Sequence, residues 1–571
     1  MNEGYHVGKV LPLWLVAFAL ILSLGCASPS RQVEGARFAQ GRVAQVEPVW
    51  RRANLAYWEA ATTGKAEKFE EFAQLQLQIR RIYSDANDFA RVKALRKSGI
   101  RDPRLVRQLD KLYYSYLQNQ IEPDLLKQIV ELDTKVQEAY NNYRATMDGR
   151  KVTMSDIYTT LTTEMNCAKR EAAWRAGRQV GNVIVEDFLE SVRLRNQAAR
   201  QLGFDSFHTM TIVIGEQNVR ELDRIFDELD RLTLEPFAAM KQDLDKILAK
   251  NYGITPERLM PWHYHDPFFQ RTPLVYELDL DQYYKGRDVK ELARRYYASV
   301  GLPVDDILAR SDLYDREGKF PHAFSYDVDR KGDVRVLANL QDTERWMETI
   351  LHELGHAVYN RYHEPNEPWL LREPAHPFTT EAIAMFFGRL SRNAAWMQQM
   401  LDLSDEETAR IKQVSDRYLR FQQVLFVRWA LVMYHFEKAL YADPDRDLNG
   451  LWWDLVEKYQ FIKRPPGPAD AGWLSKLHFT TAPCYYHNYM LGELLASQLH
   501  DCLVHQVLRL ESDGGLSYVG DQRVGRYLRE NVFGPGARYP WNEMIVRATG
   551  WPLSPKYFVE QFVDGVLQNG D

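Results

Sequence analysis

The sequence has few cysteines and no excess of positive charge. Four cysteines in 571 residues are too few for a disulfide framework, and we expect Cys167, Cys484 and Cys502 to be small buried thiols. A net charge of −6 argues against nucleic acid as a partner. No Ser/Gly-rich linker and no internal repeat divides the chain, so we predict one large domain over residues 27–571, with two lobes around a cleft.

Long apolar runs are scarce, and the one at the N-terminus extends from Val10 to Leu24. It is short for a membrane-spanning helix and is typical of an export signal. Cys26 follows Gly25 at its end, as in a bacterial lipoprotein signal. We therefore predict that residues 1–26 are a lipoprotein-type signal peptide and that Cys26 carries lipid. The protein would then be exported, periplasmic or at the cell surface, and anchored to the membrane.

Most of the sequence has the periodicity of helices. From Glu34 to about Leu308, apolar residues recur at three- and four-residue spacing. Thr255 and Pro256 predict a helix start as cap and first helical residue. Alternating apolar residues from Phe320 to Leu340, with a polar turn between them, predict a β-hairpin that contains His322. The predicted fold class is mainly α, with a short hairpin.

The most informative pattern is H-E-x-x-H, which lies within the apolar helical stretch from Met347 to Tyr359. Four-residue spacing puts His352 and His356 on one helix face, where both imidazoles can bind one zinc ion. Glu353 would lie beside the metal, as a carboxylate that takes a proton from water. The pattern predicts a site for one zinc ion per chain.

A zinc site of this kind needs a third protein ligand. Tyr359 and Tyr362 stand where the metzincin spacing needs Gly and His, so that geometry is excluded. A second helix from Phe378 to Leu390, capped by Thr379 or Thr380, instead offers Glu381. Glutamates in the preceding Pro-rich loop are alternatives that we expect to be solvated, and these are Glu364, Glu367 and Glu373.

Aromatic and basic residues are concentrated around a proline between Trp473 and Leu495. Phenol or imidazole donors there can stabilise an oxyanion, and a cation can bind a substrate carboxylate. The candidates are Lys476, His478, Tyr485, Tyr486, His487 and Tyr489.

These motifs resemble those of the angiotensin-converting-enzyme family of zinc peptidyl-dipeptidases. H-E-L-G-H and P-F-T-T-E-A-I resemble the family's H-E-M-G-H and G-F-H-E-A-I. The stretches 476–478 and 483–489 resemble its K-F-H and P-Y-I-R-Y, with one residue more between the His and the tyrosines. The stretches 320–323 and 195–200 resemble its C-H-A strand and I-N-Q-A-A-R. The resemblance covers nearly the whole chain after the signal and implies a helical fold with a deep cleft and a short sheet beside the zinc.

The resemblance also implies a role for each matching residue. His352, His356 and Glu381 would bind zinc, and Glu353 would be the base. The remaining residues would act on the peptide: His478 and Tyr489 on the oxyanion, His322 and Ala323 on the substrate backbone, and Lys476 and Tyr486 on its free C-terminal carboxylate.

Three positions depart from the family pattern. Met385 replaces an Asp one turn after the ligand Glu, so no partner of the zinc histidines is identified there. Asn488 replaces a chloride-binding Arg, so chloride activation is doubtful. The family's carboxylate-binding Gln has no counterpart in Trp262-His263-Tyr264-His265.

Three functions are compatible with these residues. The first is a zinc peptidase that releases dipeptides from the free C-termini of oligopeptides. The second is a related helical oligoendopeptidase, because the missing Gln weakens carboxylate recognition. The third is an inactive peptide-binding lipoprotein, against which the presence of Glu353, His478 and Tyr489 argues.

Overall fold

A computed structural model describes residues 29–563, apart from residues 148, 274, 276, 277, 513 and 514. The signal peptide and Cys26 lie outside the described residues. Within the described ranges, no helix is both long and apolar enough to cross a membrane. Cys167, Cys484 and Cys502 are free thiols. Cys484 and Cys502 are buried as predicted, whereas Cys167 is only partly buried.

The first half of the described chain is helical apart from one small hairpin, which confirms the helical prediction. Strands β1 (Ala145–Met147) and β2 (Arg150–Val152) pair antiparallel. The helices are α1 (Pro29–Thr63), α2 (Ala66–Tyr83), α3 (Ala86–Arg96), α4 (Pro103–Leu117), α5 (Pro123–Asn142), α6 (Met154–Thr163), α7 (Cys167–Gln201), α8 (Phe207–Ile214), α9 (Val219–Tyr252), α10 (Asp281–Tyr284), α11 (Val289–Ser299) and α12 (Asp305–Arg310).

The second half contains the predicted hairpin and further helices. Strands β3 (Phe324–Asp327) and β4 (Val334–Leu337) pair antiparallel, with Phe324 opposite Leu337. The helices are α13 (Glu344–Arg361), α14 (Pro377–Gly388), α15 (Ala394–Leu401), α16 (Asp405–Ala442), α17 (Leu448–Gln460), α18 (His478–Thr481), α19 (His487–Cys502), α20 (Gln522–Leu528), α21 (Trp541–Thr549) and α22 (Lys556–Phe562).

Two predicted helix starts were wrong in detail. Two separate 3₁₀ turns, Pro256–Arg258 and Pro261–His263, follow Thr255 in place of a helix. Met260 precedes a proline and is extended, which ends the first turn before a helix can form. The N-cap of α14 is His376 rather than Thr379 or Thr380, because Pro377 takes the first helical position.

Two hydrophobic clusters hold the helices together. The larger one runs from α5 to α22 and contains the buried side of α13 and α14. A smaller cluster joins α1 to α4 and is completed by Trp369 and Leu370. Polar contacts link the two parts, among them the ion pair between Arg107 of α4 and Glu216. The segment between α13 and α14 therefore packs against the N-terminal helices.

A glycine in the H-E-L-G-H motif sets the distance between α13 and α14. A methyl group added at Gly355 would lie 2.8 Å from the Cα of Ala384, so the two helices pack backbone against backbone. Gly492 lets α19 approach α14 closely, since a methyl group there would lie 3.3 Å from the Cβ of Glu381. These two close approaches bring α13, α14 and α19 together around Glu381.

Candidate metal site and cleft

The structure brings His352, His356 and Glu381 together. Their ligand atoms all lie within 4.8 Å of one another. The Nε2 atom of each histidine is 3.8 Å from Oε2 of Glu381. The two imidazoles project from successive turns of α13, and Glu381 projects from the second turn of α14. Two imidazole nitrogens and one carboxylate are a donor set that suits zinc and leaves a fourth position for water or substrate.

Burial keeps both histidines in the neutral form that can bind a metal. Burial lowers the pKa of His352 to about 4, and burial together with His352 holds the pKa of His356 well below its usual value. Both imidazoles are therefore neutral at pH 7, with lone pairs free for a metal. Burial and the neighbouring Glu493 raise the pKa of Glu381 to about 7, a shift that a bound cation would reverse.

Thr380 supplies a contact to His356 that the sequence did not indicate. Its Oγ1 lies 2.8 Å from Nδ1 of His356. With Nε2 as the metal-binding atom, Nδ1 would carry the proton and donate to the threonine, which would fix the ring and its tautomer. This hydrogen bond gives His356 a partner within α14, where Met385 cannot provide one.

Glu353 lies between Glu381 and strand β3. The residue is 8% exposed. Burial and then Glu381 raise the pKa of Glu353 to about 8, whereas the backbone N–H of Ser325 in β3 lowers it. A buried carboxylate with this shift is suited to accept and return a proton near neutral pH.

Strand β3 offers an unpaired edge near Glu353. Among the described residues, its only strand partner is β4. An extended peptide can pair with such an edge through main-chain hydrogen bonds. His322 and Ala323 precede β3 rather than forming part of it, and His322 is exposed, with its ring 5.5 Å from that of Phe320. Their predicted contact with a substrate backbone stays a prediction.

Residues of α18 and α19 form an aromatic group that reaches toward Glu381. The ring of His478 lies 5.0 Å from that of Tyr486 and 6.0 Å from that of Tyr489. Burial and Lys476 lower the pKa of His478 to about 4. Burial and Glu381 raise the pKa of Tyr489, so this phenol is within electrostatic reach of the candidate metal ligand. Both side chains are proton donors in their neutral forms.

Lys476 and Gln270 form a second polar group. The Nζ atom of Lys476 donates to Oε1 of Gln270 at 2.5 Å and lies 5.2 Å from the ring centre of Tyr486. Tyr486 in turn accepts a hydrogen bond of 2.7 Å from Trp429. The sequence does not identify Gln270 as a partner of Lys476. The loop that carries Gln270 turns through left-handed residues at His265 and Phe269, so no helix or strand periodicity indicates where its side chain lies.

The alternative ligands Glu364, Glu367 and Glu373 do not belong to the metal group. The prediction that all three are solvated was wrong for Glu367 and Glu373. Glu367 is 2% exposed and pairs with Arg104 and Arg538. Glu373 pairs with Lys111 at 2.7 Å and with Arg330 at 2.6 Å. These cations replace water around the loop carboxylates, because the loop packs against α4.

Asn488 and His487 are buried and do not belong to the metal group. Gln217 donates to Oδ1 of Asn488 and its Oε1 lies near Nε2 of His487, both at 2.8 Å. These residues line a cavity of about 520 Å³ that also touches Thr380 and Tyr485. Through Thr380, which bonds to His356, this cavity adjoins the metal group.

Comparison with known proteins adds a family to this geometry. The family model described as peptidase M2, angiotensin-converting enzyme, matches residues 30–553. The rabbit (Oryctolagus cuniculus) angiotensin-converting enzyme is 21% identical over 91% of this chain and 42% of its own length.

Two further relatives match shorter stretches. An inactive angiotensin-converting enzyme-related protein of Caenorhabditis elegans is 24% identical over 43% of this chain and 30% of its own length. Thermostable carboxypeptidase 1 of Pyrococcus furiosus is 24% identical over 40% of this chain and 49% of its own length. The chain thus spans less than half the length of each of these three relatives.

Proposed function

Because the chain belongs to the angiotensin-converting enzyme family of peptidases, we propose that it is a zinc-dependent peptidase that releases dipeptides from the free C-termini of oligopeptides. The observation that carries this proposal is the group of His352, His356 and Glu381 within 4.8 Å, with Glu353 beside it. One zinc ion held by these three ligands would supply a Lewis acid that polarises the scissile carbonyl and makes water more acidic.

The residues of the chain would perform the proton transfers and bind the peptide. Glu353 takes a proton from the attacking water and returns it to the leaving amine, for which a raised pKa is suitable. Tyr489 and His478 donate to the oxyanion as it develops. The open edge of β3, with Ala323 and His322 before it, holds the substrate backbone.

The preference for a free C-terminus rests on Lys476. Its ammonium has the neutral side chains of Tyr486 and Gln270 beside it. Asp266, which accepts a hydrogen bond from Gln270, and Arg271 are the charged groups nearby. A substrate carboxylate bound there would make charge-assisted hydrogen bonds of about 1.5–3 kcal/mol. Gln270 supports this function over the oligoendopeptidase, because it supplies the amide that the sequence comparison lacked.

The decisive experiment compares one oligopeptide as free acid and as C-terminal amide, with products identified by mass spectrometry. We expect dipeptides from the free acid and a roughly 10- to 150-fold lower kcat/KM for the amide. Equal rates, or early cleavage of internal bonds, would favour the oligoendopeptidase. Binding without cleavage by the zinc-loaded protein would favour the inactive peptide-binding protein.

We also propose that lipid on Cys26 anchors the protein to the membrane after export. The support is the apolar run that ends at Gly25 and Cys26. Labelling cells with a palmitate analogue should tag the wild-type protein and leave Cys26→Ser unlabelled. A mature protein that begins elsewhere and carries no lipid would contradict this proposal without affecting the peptidase.

A further inference from the structure

Glu348 lies one turn before His352 on the side of α13 that carries the metal ligands. Residues 348, 352 and 356 follow one another at four-residue spacing, so their side chains leave the helix on one face. A methyl group added at Gly388 would lie 3.3 Å from Cβ of His352 and 3.7 Å from Oε1 of Glu348. The two side chains therefore pass over the same glycine of α14, and Glu348 is a neighbour of the metal group without belonging to it.

The carboxylate of Glu348 has no partner among the residues that the structure describes. It is partly buried, and the charged groups that face it are Glu344, Arg392, Arg271 and Arg345. Arg392 is bound to both carboxylate oxygens of Glu344 at 2.8 Å. Arg271 and Arg345 are exposed and form no ion pair with Glu348. Because none of these arginines forms a direct ion pair with Glu348, its partial burial is costly, and this cost falls when a cation binds to the carboxylate.

Arg271 lies near both Glu348 and the group that would bind the C-terminus of a substrate. Arg271 follows Gln270, which binds Lys476. Arg271 is close enough to influence the pKa of both Lys476 and Glu348. Glu348 therefore lies beside the metal ligands and within electrostatic range of Arg271. In a peptide bound as proposed, with its scissile bond at the metal group and its C-terminus at Lys476, the last two residues would pass near Glu348.

We propose that Glu348 selects substrates whose C-terminal dipeptide carries a lysine or arginine side chain. This inference rests on the proposed function for the direction in which the peptide lies. An ammonium or guanidinium near Glu348 makes charge-assisted hydrogen bonds, and an acidic side chain is repelled. The order of kcat/KM is therefore basic above neutral above acidic.

The experiment uses the full-length zinc enzyme and peptides that differ only in the last two residues. Lysine, norleucine or glutamate is placed at each of these positions in turn, and kcat/KM is measured. We expect lysine to exceed norleucine about tenfold or more at one of the two positions. Glu348→Gln should remove this difference, and Glu348→Lys should favour glutamate instead. Glu406→Gln, an exposed change at the start of α16, should leave the preference intact.

Equal kcat/KM for lysine and norleucine in the wild type would overturn the proposal, and so would an unchanged preference in Glu348→Gln. The wild-type comparison can give the first of these results even if the Glu348 variants do not fold. If no peptide is cleaved, the proposed function fails, and calorimetry with lysine- and norleucine-containing dipeptides then tests Glu348 separately. Tighter binding of the lysine dipeptide would support the role of Glu348, and equal binding would overturn it.

Discussion

The metal group and the carboxylate-binding group are built in different ways. His352, His356 and Glu381 come from two consecutive helices whose backbones touch at Gly355 and Ala384. Lys476 and Gln270 are 206 residues apart in the chain and meet only through the ends of their side chains. Rigid backbone packing positions the first group, whereas the second depends on one hydrogen bond and the aromatic rings around the ammonium.

The two groups also respond to burial in different ways. Burial keeps the histidines neutral, which is the state that a metal requires. Burial lowers the pKa of Lys476 to about 8, which opposes the charge that a carboxylate requires. We therefore expect changes in the metal group to abolish function and changes in the carboxylate-binding group to reduce it by degrees.

The largest effect should follow the loss of a metal ligand. Glu381→Ala should leave the purified protein without zinc and without activity, since two imidazoles alone do not complete the site. Metal content by mass spectrometry checks this outcome, and Glu364→Ala, a loop change outside the metal group, serves as the control. Full zinc occupancy in Glu381→Ala would show that another residue is the third ligand.

The next largest effect tests Glu353. Glu353→Gln keeps the size of the side chain but cannot accept a proton, so kcat should fall about 10²- to 10⁴-fold. Zinc content should stay at one ion per chain, which separates this variant from the ligand variants. A kcat close to that of the wild type would remove Glu353 as the base.

A somewhat smaller effect is expected in α19. Tyr489→Phe removes one hydroxyl with little change in volume and should lower kcat roughly 10²- to 10³-fold, with KM nearly unchanged. Steady-state kinetics on one free-acid peptide gives both constants. If kcat does not change, the oxyanion donor must be sought at Tyr485 or Tyr486, whose rings lie 5.4 and 5.3 Å from that of Tyr489.

The contrast between the two groups also explains what could be predicted from the sequence. The H-E-x-x-H spacing determines which residues share a helix face, so the grouping of His352 and His356 follows from local geometry. Glu381 follows from the next helix, and the hairpin from its alternation. Gln270 could not be found in this way, since its position depends on a loop and on a contact with a distant segment. The ion pairs of Glu367 and Glu373 depend in the same way on tertiary packing.

The metal group should lose zinc affinity at low pH, and the carboxylate-binding group should lose its preference for free acids at high pH. Below pH 7, zinc must displace a proton from Glu381, whose pKa is raised to about 7, so zinc affinity should fall about tenfold per pH unit. Above pH 8, Lys476 loses its proton, so the preference for free acids over amides should decline. Competition with a chromophoric chelator measures the first loss, and the ratio of kcat/KM for the two peptides measures the second. A constant zinc affinity from pH 8 to pH 5.5 would contradict the first expectation, and a constant ratio above pH 8 would contradict the second.

The smallest effect tests Gln270, the member of the carboxylate-binding group that only the structure revealed. Gln270→Leu removes one neutral hydrogen bond of about 0.5–1.5 kcal/mol, so KM for a free acid should rise roughly 2- to 12-fold while kcat stays unchanged. The amidated peptide should be cleaved as before, and Gln179→Leu, an exposed change on α7, should affect neither substrate. Because Gln270 acts together with Lys476, adding Gln270→Leu to Lys476→Met should cost little more than Lys476→Met alone. Losses that multiply in the double variant would mean that the two side chains bind the substrate independently.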